Sequence, residues 1–230
     1  MINSYKTNKI LKIATDKIYS VHNVNKLLFI DSDKNLEYEA KVDIVEYADL
    51  IETLSIIKSL KILKFEYRSE IHHLFEIGNK SIACLVFIEK YLQTWIKIKS
   101  ETKKIKSKNL KLPFLIRKGV KFKPGDSGYN KALNKSMSGE YFFSYNKECI
   151  NYFFKYNNSI YSLSLSLANG KNEFSHYQME FEYEGYLKGT KKPNKKEILI
   201  EFENLFSNFF PYLINKFNTE TKYEALKKLI

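Results

Sequence analysis

Arginine is scarce in this sequence. Arg68 and Arg117 are its only arginines, although 38 of its 230 residues are lysine or arginine and the formal net charge is +12. A lysine offers a phosphate a point charge, whereas an arginine offers a planar fork of donors. The charge favours a phosphate-bearing partner, because a basic surface attracts polyanions through Coulomb attraction and counterion release. It does not identify that partner, and the excess of Lys, Asn, Ile and Tyr also fits an AT-rich genome.

Cysteine is equally rare, and long apolar runs are missing. Cys84 and Cys149 are too few and too far apart for a disulfide framework or a zinc site, so we expect two free thiols. No apolar run approaches the roughly 20 residues that a membrane-spanning helix needs. The first residues contain lysines and no apolar signal-peptide core. We therefore expect an intracellular protein, in the nucleus or cytoplasm, with no membrane partner.

Several common catalytic motifs are also missing. Gly125 and Gly128 do not make a phosphate loop of the Walker type. His72 and His73 are adjacent, so they would point to opposite sides of a strand, and the histidines have no spacing typical of a metal site. Neither cysteine has a motif partner that would indicate a nucleophile. Any catalytic chemistry has to come from other side chains.

Two rows of acidic residues supply the candidates. In the stretch from Leu36 to Asp43, strand alternation places Glu37, Glu39 and Lys41 on one face and apolar residues on the other. A second stretch near residue 180 has the same period. Its polar face consists of Gln178, Glu180, Glu182 and Glu184, and its apolar face of Met179, Phe181 and Tyr183.

These rows allow two interpretations. Each row could be a solvated edge, because charged faces are usually exposed. Alternatively, both rows could face one interior, where several carboxylates would be untenable without cations, because an unpaired buried charge costs several kcal/mol. Converging carboxylates are a natural site for a divalent metal with oxygen ligands.

The motifs Glu37-x-Glu39-x-Lys41 and Glu180-x-Glu182, with a helix predicted after each, resemble the triphosphate tunnel metalloenzymes of the CYTH superfamily. The motif Glu-Tyr-Glu-Ala-Lys at residues 37–41 is most similar to that of the RNA 5′-triphosphatases of fungal and viral type. The resemblance covers residues 35–217. It implies an α+β fold built on an antiparallel eight-stranded β-barrel, the triphosphate tunnel, with flanking helices.

The resemblance also implies roles for individual residues. Glu37, Glu39, Glu180 and Glu182 would hold Mn2+ or Mg2+, and Glu184 would orient the attacking water. Phosphate would be bound by Lys41, Lys97, Lys99 and Lys155. Members of the family usually have arginines on the strands that correspond to residues 141–167, and Lys155 is the residue that could replace one of them.

Periodicity predicts the remaining elements. Helices are predicted over residues 3–20 and 44–59, from about residue 197 to 213, and at the C-terminus. Strands are predicted at 27–30, 62–67, 71–77, 82–90, 92–100, 114–122, 141–145, 150–156 and 160–167. We interpret the basic run Lys103–Lys108 as a solvated face, with a polyanion guide as the alternative, and residues 123–139 as a mobile loop.

We predict a single tunnel-fold domain over residues 1–230, with a helical extension at 1–34, the tunnel at 35–217 and a C-terminal helix at 218–230. The predicted activity is metal-dependent removal of the terminal phosphate from an RNA 5′-triphosphate in mRNA capping. The alternatives are a phosphohydrolase acting on tripolyphosphate or nucleoside triphosphates, and a catalytically reduced tunnel that binds polyphosphate or nucleic acid. A guanylyltransferase partner and a homodimer are further expectations.

Overall fold

The structure, a computed structural model, describes residues 29–31, 36–44, 46–60, 62–78, 81–89, 92–170 and 175–228. The helix predicted over residues 3–20 and the first two residues of the strand predicted at 27–30 lie outside this range. The strands are β1 Phe29–Asp31, β2 Leu36–Asp43, β3 Ile62–Glu76, β4 Ser81–Ile88, β5 Gln93–Lys106, β6 Pro113–Phe122, β7 Glu140–Tyr156, β8 Ser159–Gly170, β9 Ser175–Leu187 and β10 Phe217–Asn218. The helices are α1 Tyr47–Ser59, α2 Tyr129–Met137, α3 Lys195–Phe209 and α4 Lys222–Lys227, with a 3-10 helix at Pro211–Lys216.

Eight antiparallel strands close into a barrel. They follow the order β9, β8, β7, β3, β4, β5, β6, β2, and β2 pairs back onto β9. Closure removes the two free edges that an open sheet would expose. Strand β1 pairs with β9 and β10 pairs with β2 outside this circuit. The predicted fold class, an antiparallel eight-stranded barrel with flanking helices, is confirmed.

The apolar faces of β2 and β9 point away from the barrel interior and are covered by α3. Ala40 lies opposite Phe181 in the register, and both are fully buried. The Phe181 ring centroid lies 4.9 Å from that of Phe206 on α3. Helix α3 begins with a capping box in which the Asn194 side chain accepts from the backbone N–H of Glu197 while the Glu197 carboxylate accepts from that of Asn194. This aromatic layer fixes β2 and β9 from outside and leaves their polar faces to the interior.

The lysines of the basic run Lys103–Lys108 are exposed, as predicted, and most of the run is also part of the sheet. Strand β5 continues through Lys103–Lys106, paired with β6 as far as Pro113. The turn that follows is fixed by Glu203 of α3, whose Oε1 accepts from the backbone N–H groups of Asn109 and Leu110, both at 2.8 Å. Pairing with β6 and the contacts of the Glu203 carboxylate therefore order a segment whose lysines remain exposed to solvent.

The loop predicted over residues 123–139 contains a helix. Gly128 enters α2 with a φ of +88°, a conformation that favours glycine. Ala132 packs into a cluster with Phe75, Leu85 and Ile96 on the outer side of β3–β5. The segment has many turn formers and few apolar residues, so packing of one small face stabilises a helix that periodicity did not predict.

Two pairs of predicted strands are single strands in the structure. Strand β3 runs without a break from Ile62 to Glu76, and β7 runs from Glu140 to Tyr156. They pair with each other along almost their whole length. No helix in the described residues has both the length and the apolar character to span a membrane.

The contribution of the aromatic layer to stability can be tested by removing one ring. Phe206 is fully buried and its ring lies 4.4 Å from that of Phe217, so Phe206→Ala should lower the free energy of unfolding by about 3–5 kcal/mol. Ile200→Ala on the same helix is the control, because Ile200 is 39% exposed and should cost less than about 1 kcal/mol. Urea unfolding of both variants gives the comparison, and equal losses would contradict the layer's role.

Candidate active site in the barrel

The two acidic rows lie side by side on the inner face of the paired strands β2 and β9. Glu39 lies opposite Glu182 and Lys41 lies opposite Glu180 in the β2–β9 register. Glu37 leans over Gly119 of β6, where a Cβ would lie 3.3 Å from the Glu37 Oε1. The two rows therefore share one interior.

Lysine and arginine side chains compensate most of these carboxylates. Lys41 contacts Glu39, with Nζ 3.4 Å from Oε2, and forms a close ion pair with Glu180. Arg117 of β6 forms a close ion pair with Glu39, and its Nε lies 3.3 Å from Glu37 Oε2. Because both signs of charge are buried together, each row is tolerated inside the barrel.

The pKa values of the carboxylates differ according to these partners. Burial alone would raise the pKa of Glu37, but Lys99 and Arg117 lower it to about 2. Burial would also raise the pKa of Glu180, but Lys222 and Lys41 hold it well below its ordinary value. Both groups are therefore carboxylates at neutral pH.

Glu182 is the exception in the acidic rows. Burial, followed by repulsion from Glu184 and Glu37, raises the pKa of Glu182 to about 8. Within the described residues its side chain has no ion pair or hydrogen bond, whereas Glu184 accepts a hydrogen bond from Ser162 Oγ at 2.6 Å. Lys99 opposes this rise in pKa only in part, so Glu182 is the least compensated of these carboxylates.

Both arginines of the chain belong to this interior. Arg117 is on β6, and Arg68 of β3 lies opposite Cys149 on β7, with its Nη1 3.2 Å from Glu70 Oε1. Lys147 of β7 lies opposite Glu70. The sequence analysis did not assign Arg68, Arg117 or Lys147 to the site. The alternation from Tyr145 to Asn151 would have indicated Lys147 if β7 had been recognised as one strand.

The lysines predicted to bind phosphate do not all come together. Lys97 and Lys99 line the interior, and Lys97 lies opposite Lys121 of β6. Desolvation and then repulsion from Lys97 and Arg68 lower the pKa of Lys121 to about 7, although Lys121 reaches an exposed rim. Lys155 is exposed at the far end of β7, opposite Ile160, and is not part of this lining. The structure thus places Lys97 and Lys99, but not Lys155, beside the acidic rows.

A cavity of about 1050 Å³ extends from Lys41 and Glu180 of the acidic rows to the mouth next to α4. Its lining contains eight basic side chains and four acidic ones, so its formal charge is +4. The basic ones are Lys41, Lys97, Lys99, Lys103, Arg117, Lys147, Lys222 and Lys227, and the acidic ones are Glu76, Glu140, Glu180 and Glu224. This volume and charge suit a small, highly charged anion.

A buried polar network supports the wall of this cavity. The His72 Nε2 lies 2.7 Å from Glu70 Oε2, and its Nδ1 lies 3.1 Å from the Tyr145 hydroxyl and 3.2 Å from Cys84 Sγ. Burial lowers the pKa of His72 to about 3, and burial raises the pKa of Cys84 to about 12. His72 is therefore neutral and Cys84 is a thiol, and both belong to the buried network of the wall. Cys84 and Cys149 are free, as predicted.

Solved structures with the same arrangement of strands come from mimivirus. A triclinic structure of the mimivirus capping enzyme triphosphatase matches with a TM-score of 0.53 and 14% identity, over 89% of this chain and 96% of that chain. A monoclinic structure of the same triphosphatase matches with a TM-score of 0.51 and 16% identity, over 89% and 97%. No protein-family model matches the sequence, and no curated protein matches it.

These matches extend over most of both chains and agree with the closed barrel. The chain has the triphosphate tunnel fold. Identity at this level shows the fold alone, so the chemistry of the tunnel has to be argued from its own residues.

The inner face of β2 and β9 has the type of side chains that could hold a metal ion. No three His, Cys, Asp or Glu side chains converge on one point in the part of the chain that the structure describes. The donor set nevertheless fits a divalent cation with oxygen ligands, because the carboxylates of β2 and β9 share one inner face and Glu182 has no ion pair within the described residues. The metal-binding and catalytic roles of Glu37, Glu39, Glu180, Glu182 and Glu184 stay predictions.

The buried histidine makes stability depend on pH. The folded pKa of His72, about 3, lies below the value of about 6.5 in an unfolded chain, so acid protonates the unfolded state first. Stability present above about pH 6.5 is lost as the pH falls, by about 2 kcal/mol at pH 5. Burial alone would raise the pKa of Glu70, but Lys97 and the hydrogen bond with His72 lower it. Protonation of Glu70 therefore also reduces stability, but only at a lower pH than that of His72.

Urea unfolding at pH 7.5 and pH 5 measures this loss. His72→Gln keeps a donor for Glu70 but cannot titrate, so its free energy of unfolding should fall less between the two pH values. The other three histidines are common to both proteins and cancel in the comparison. Equal losses in the two proteins would show that His72 is not buried in its neutral form.

Proposed function

We propose that the tunnel is the active site of a divalent-metal-dependent phosphohydrolase that removes the terminal phosphate from triphosphates. The observation that carries this proposal is the joint position of the β2 and β9 carboxylates and a cavity of net positive charge. A triphosphate needs both, since its oxygens require cationic partners and its transferred phosphoryl group gains charge that must be stabilised.

Glu37, Glu39, Glu180 and Glu182 would hold Mn2+ or Mg2+. When bound, such an ion supplies positive charge that stabilises the transferred phosphoryl group. Lys41 holds Glu39 and Glu180 in place through its two ion pairs. Lys97, Lys99, Lys147 and Arg117 bind phosphate oxygens from the walls of the cavity.

Glu184 is suited to orient the attacking water. It lies on the same inner face as Glu182 and is fixed by the hydrogen bond from Ser162. A fixed carboxylate next to the acidic rows can accept a hydrogen bond from water and direct its lone pair toward phosphorus.

We favour an RNA 5′-triphosphate as substrate. The net charge of +12 supports this choice, because basic residues outside the tunnel increase the affinity for a long polyanion such as RNA. The solved structures with the same fold are named as a triphosphatase of a capping enzyme. Tripolyphosphate and nucleoside triphosphates are the alternative substrates of the same chemistry. A role in mRNA capping, a guanylyltransferase partner, a homodimer and an intracellular location stay predictions.

One observation favours a tunnel that binds without hydrolysing. Arg117 and Lys41 already neutralise Glu39 and Glu180, two of the proposed metal ligands. Incubation with Mn2+ and γ-labelled RNA, ATP or tripolyphosphate separates the possibilities. Release of phosphate from RNA alone supports an RNA triphosphatase, release from tripolyphosphate or ATP alone supports the alternative substrates, and binding without release supports the non-enzyme.

The carboxylates can be tested one at a time. Glu39→Ala and Glu180→Ala should each abolish Mn2+-dependent phosphate release, because each removes a charged oxygen ligand. Glu52→Ala on α1 is the control, since Glu52 is exposed and outside the barrel interior. Full activity in either tunnel variant would reject the assignment.

The lysines offer a matched pair. Lys97→Ala should lower kcat/KM about 10- to 100-fold, as expected for the loss of a hydrogen bond between charged groups. Lys155→Ala, on an exposed residue, should leave kcat/KM unchanged. Steady-state phosphate release under identical Mn2+ concentrations measures both, and an equal effect of the two substitutions would disprove this view of the phosphate site.

A further inference from the structure

Helix α4 lies next to one mouth of the barrel and forms part of the cavity wall. It begins with a capping box between Thr221 and Glu224. Leu226 is fully buried in a cluster that includes Leu74. Glu224 Oε1 accepts a hydrogen bond from Lys104 Nζ of β5 at 2.9 Å. These contacts hold a segment from outside the barrel against its interior.

One side chain of α4 reaches the acidic rows. The Lys222 Nζ donates to Gln178 Oε1 at 2.8 Å and to Glu180 Oε1 at 3.0 Å. Its side chain is 11% exposed. Burial lowers the pKa of Lys222 to about 7, and Glu180 opposes this shift. Lys222 is therefore a basic group inside the cavity that no strand of the barrel supplies.

Glu180 receives two ammonium groups on one oxygen. Lys41 and Lys222 both contact its Oε1. Two like charges at one carboxylate oxygen repel each other, and a wall of low polarity strengthens this repulsion. Lys41 lies on β2 and also contacts Glu39, whereas Lys222 lies on a short terminal helix and can move without breaking the sheet.

We infer that Lys222 is a phosphate-binding residue that rests on Glu180 in the ligand-free tunnel and moves to a phosphate oxygen when a divalent cation neutralises that carboxylate. This inference rests on the proposed function and adds a binding residue from the C-terminal segment. The Lys222 ammonium would be repelled by a cation held at Glu180 and attracted by a triphosphate in the adjacent cavity. Helix α4 is then part of the binding site.

Removing the Lys222 charge should change two affinities in opposite directions. Lys222→Met takes away a competitor for Glu180, so the affinity for Mn2+ alone should rise about three- to tenfold. The same variant loses a contact to phosphate, so the affinity for imidotriphosphate, a non-hydrolysable triphosphate, should fall about tenfold in the presence of Mn2+. Calorimetry measures both affinities on the full chain.

Lys228→Met is the matched control, because Lys228 is 72% exposed and pairs with Glu220 outside the cavity. It should change neither affinity. A Lys222 variant in which both affinities fall shows a structural role and overturns the inference. A rise in Mn2+ affinity with unchanged imidotriphosphate affinity shows a competitor that binds no phosphate, and this result overturns it as well, as does the absence of any change.

The unmodified protein provides a second test that does not depend on how the variant folds. Acetylation of Lys222, followed by mass spectrometry, should be faster with Mn2+ alone than without it, because the ammonium leaves Glu180. Adding imidotriphosphate should then slow the reaction at Lys222. Unchanged labelling under all three conditions would overturn the inference.

These readouts separate the inference from the proposed function. A protein that binds imidotriphosphate through Lys222 but releases no phosphate from any triphosphate disproves the hydrolase and leaves the inference standing. A protein that hydrolyses triphosphate while Lys222→Met shows neither shift disproves the inference alone.

Discussion

The pairing of β2 with β9 is the interaction on which the rest of the structure depends. It closes the barrel, and in the same register it brings Glu39 opposite Glu182 and Lys41 opposite Glu180. Charges of both signs are thereby enclosed, which is tolerable only because they neutralise one another at short range. A shift of one residue would turn these side chains outward and bury none of them. Closure and chemistry are therefore consequences of a single register.

The outer layer makes that register rigid. Phe181 of β9 packs between Phe206 and Phe210, with ring centroids at 4.9 and 5.0 Å. Apolar burial outside the barrel provides the free energy that polar burial inside it does not. The site thus lies on the polar side of strands whose apolar side is already fixed, an arrangement that limits movement of the carboxylates before a ligand binds.

Charge is distributed unevenly along the tunnel. Two lysines contact Glu180, whereas Glu182, two residues further along β9, forms no ion pair in the described residues. The cavity toward α4 has an excess of lysines. A divalent ion and a polyanion together would correct both imbalances, since the ion supplies charge where Glu182 lacks it and the polyanion accepts it where lysines are in excess.

The acidic rows were predictable because alternation is a local property. Each of Glu37, Glu39, Glu180 and Glu182 shares a face with its neighbours two residues away. The fold was predicted from the resemblance of these two motifs to a known family. Arg117 and Lys147 were not predictable in this way, because their contact with the rows depends on barrel order and register. Lys155 shares the alternation of Lys147 but lies beyond the tunnel on the same strand. Helix α2 was missed because its stability comes from tertiary packing of Ala132 rather than from its own sequence.

The central claim is that the carboxylates of β2 and β9 hold one divalent cation in common. A crystal structure of the protein with Mn2+ and imidotriphosphate, with anomalous scattering recorded at the manganese edge, tests it most directly. The account predicts an anomalous peak coordinated by carboxylate oxygens from both strands, with the analogue in the adjacent cavity. Manganese bound elsewhere while the analogue occupies the tunnel would contradict it.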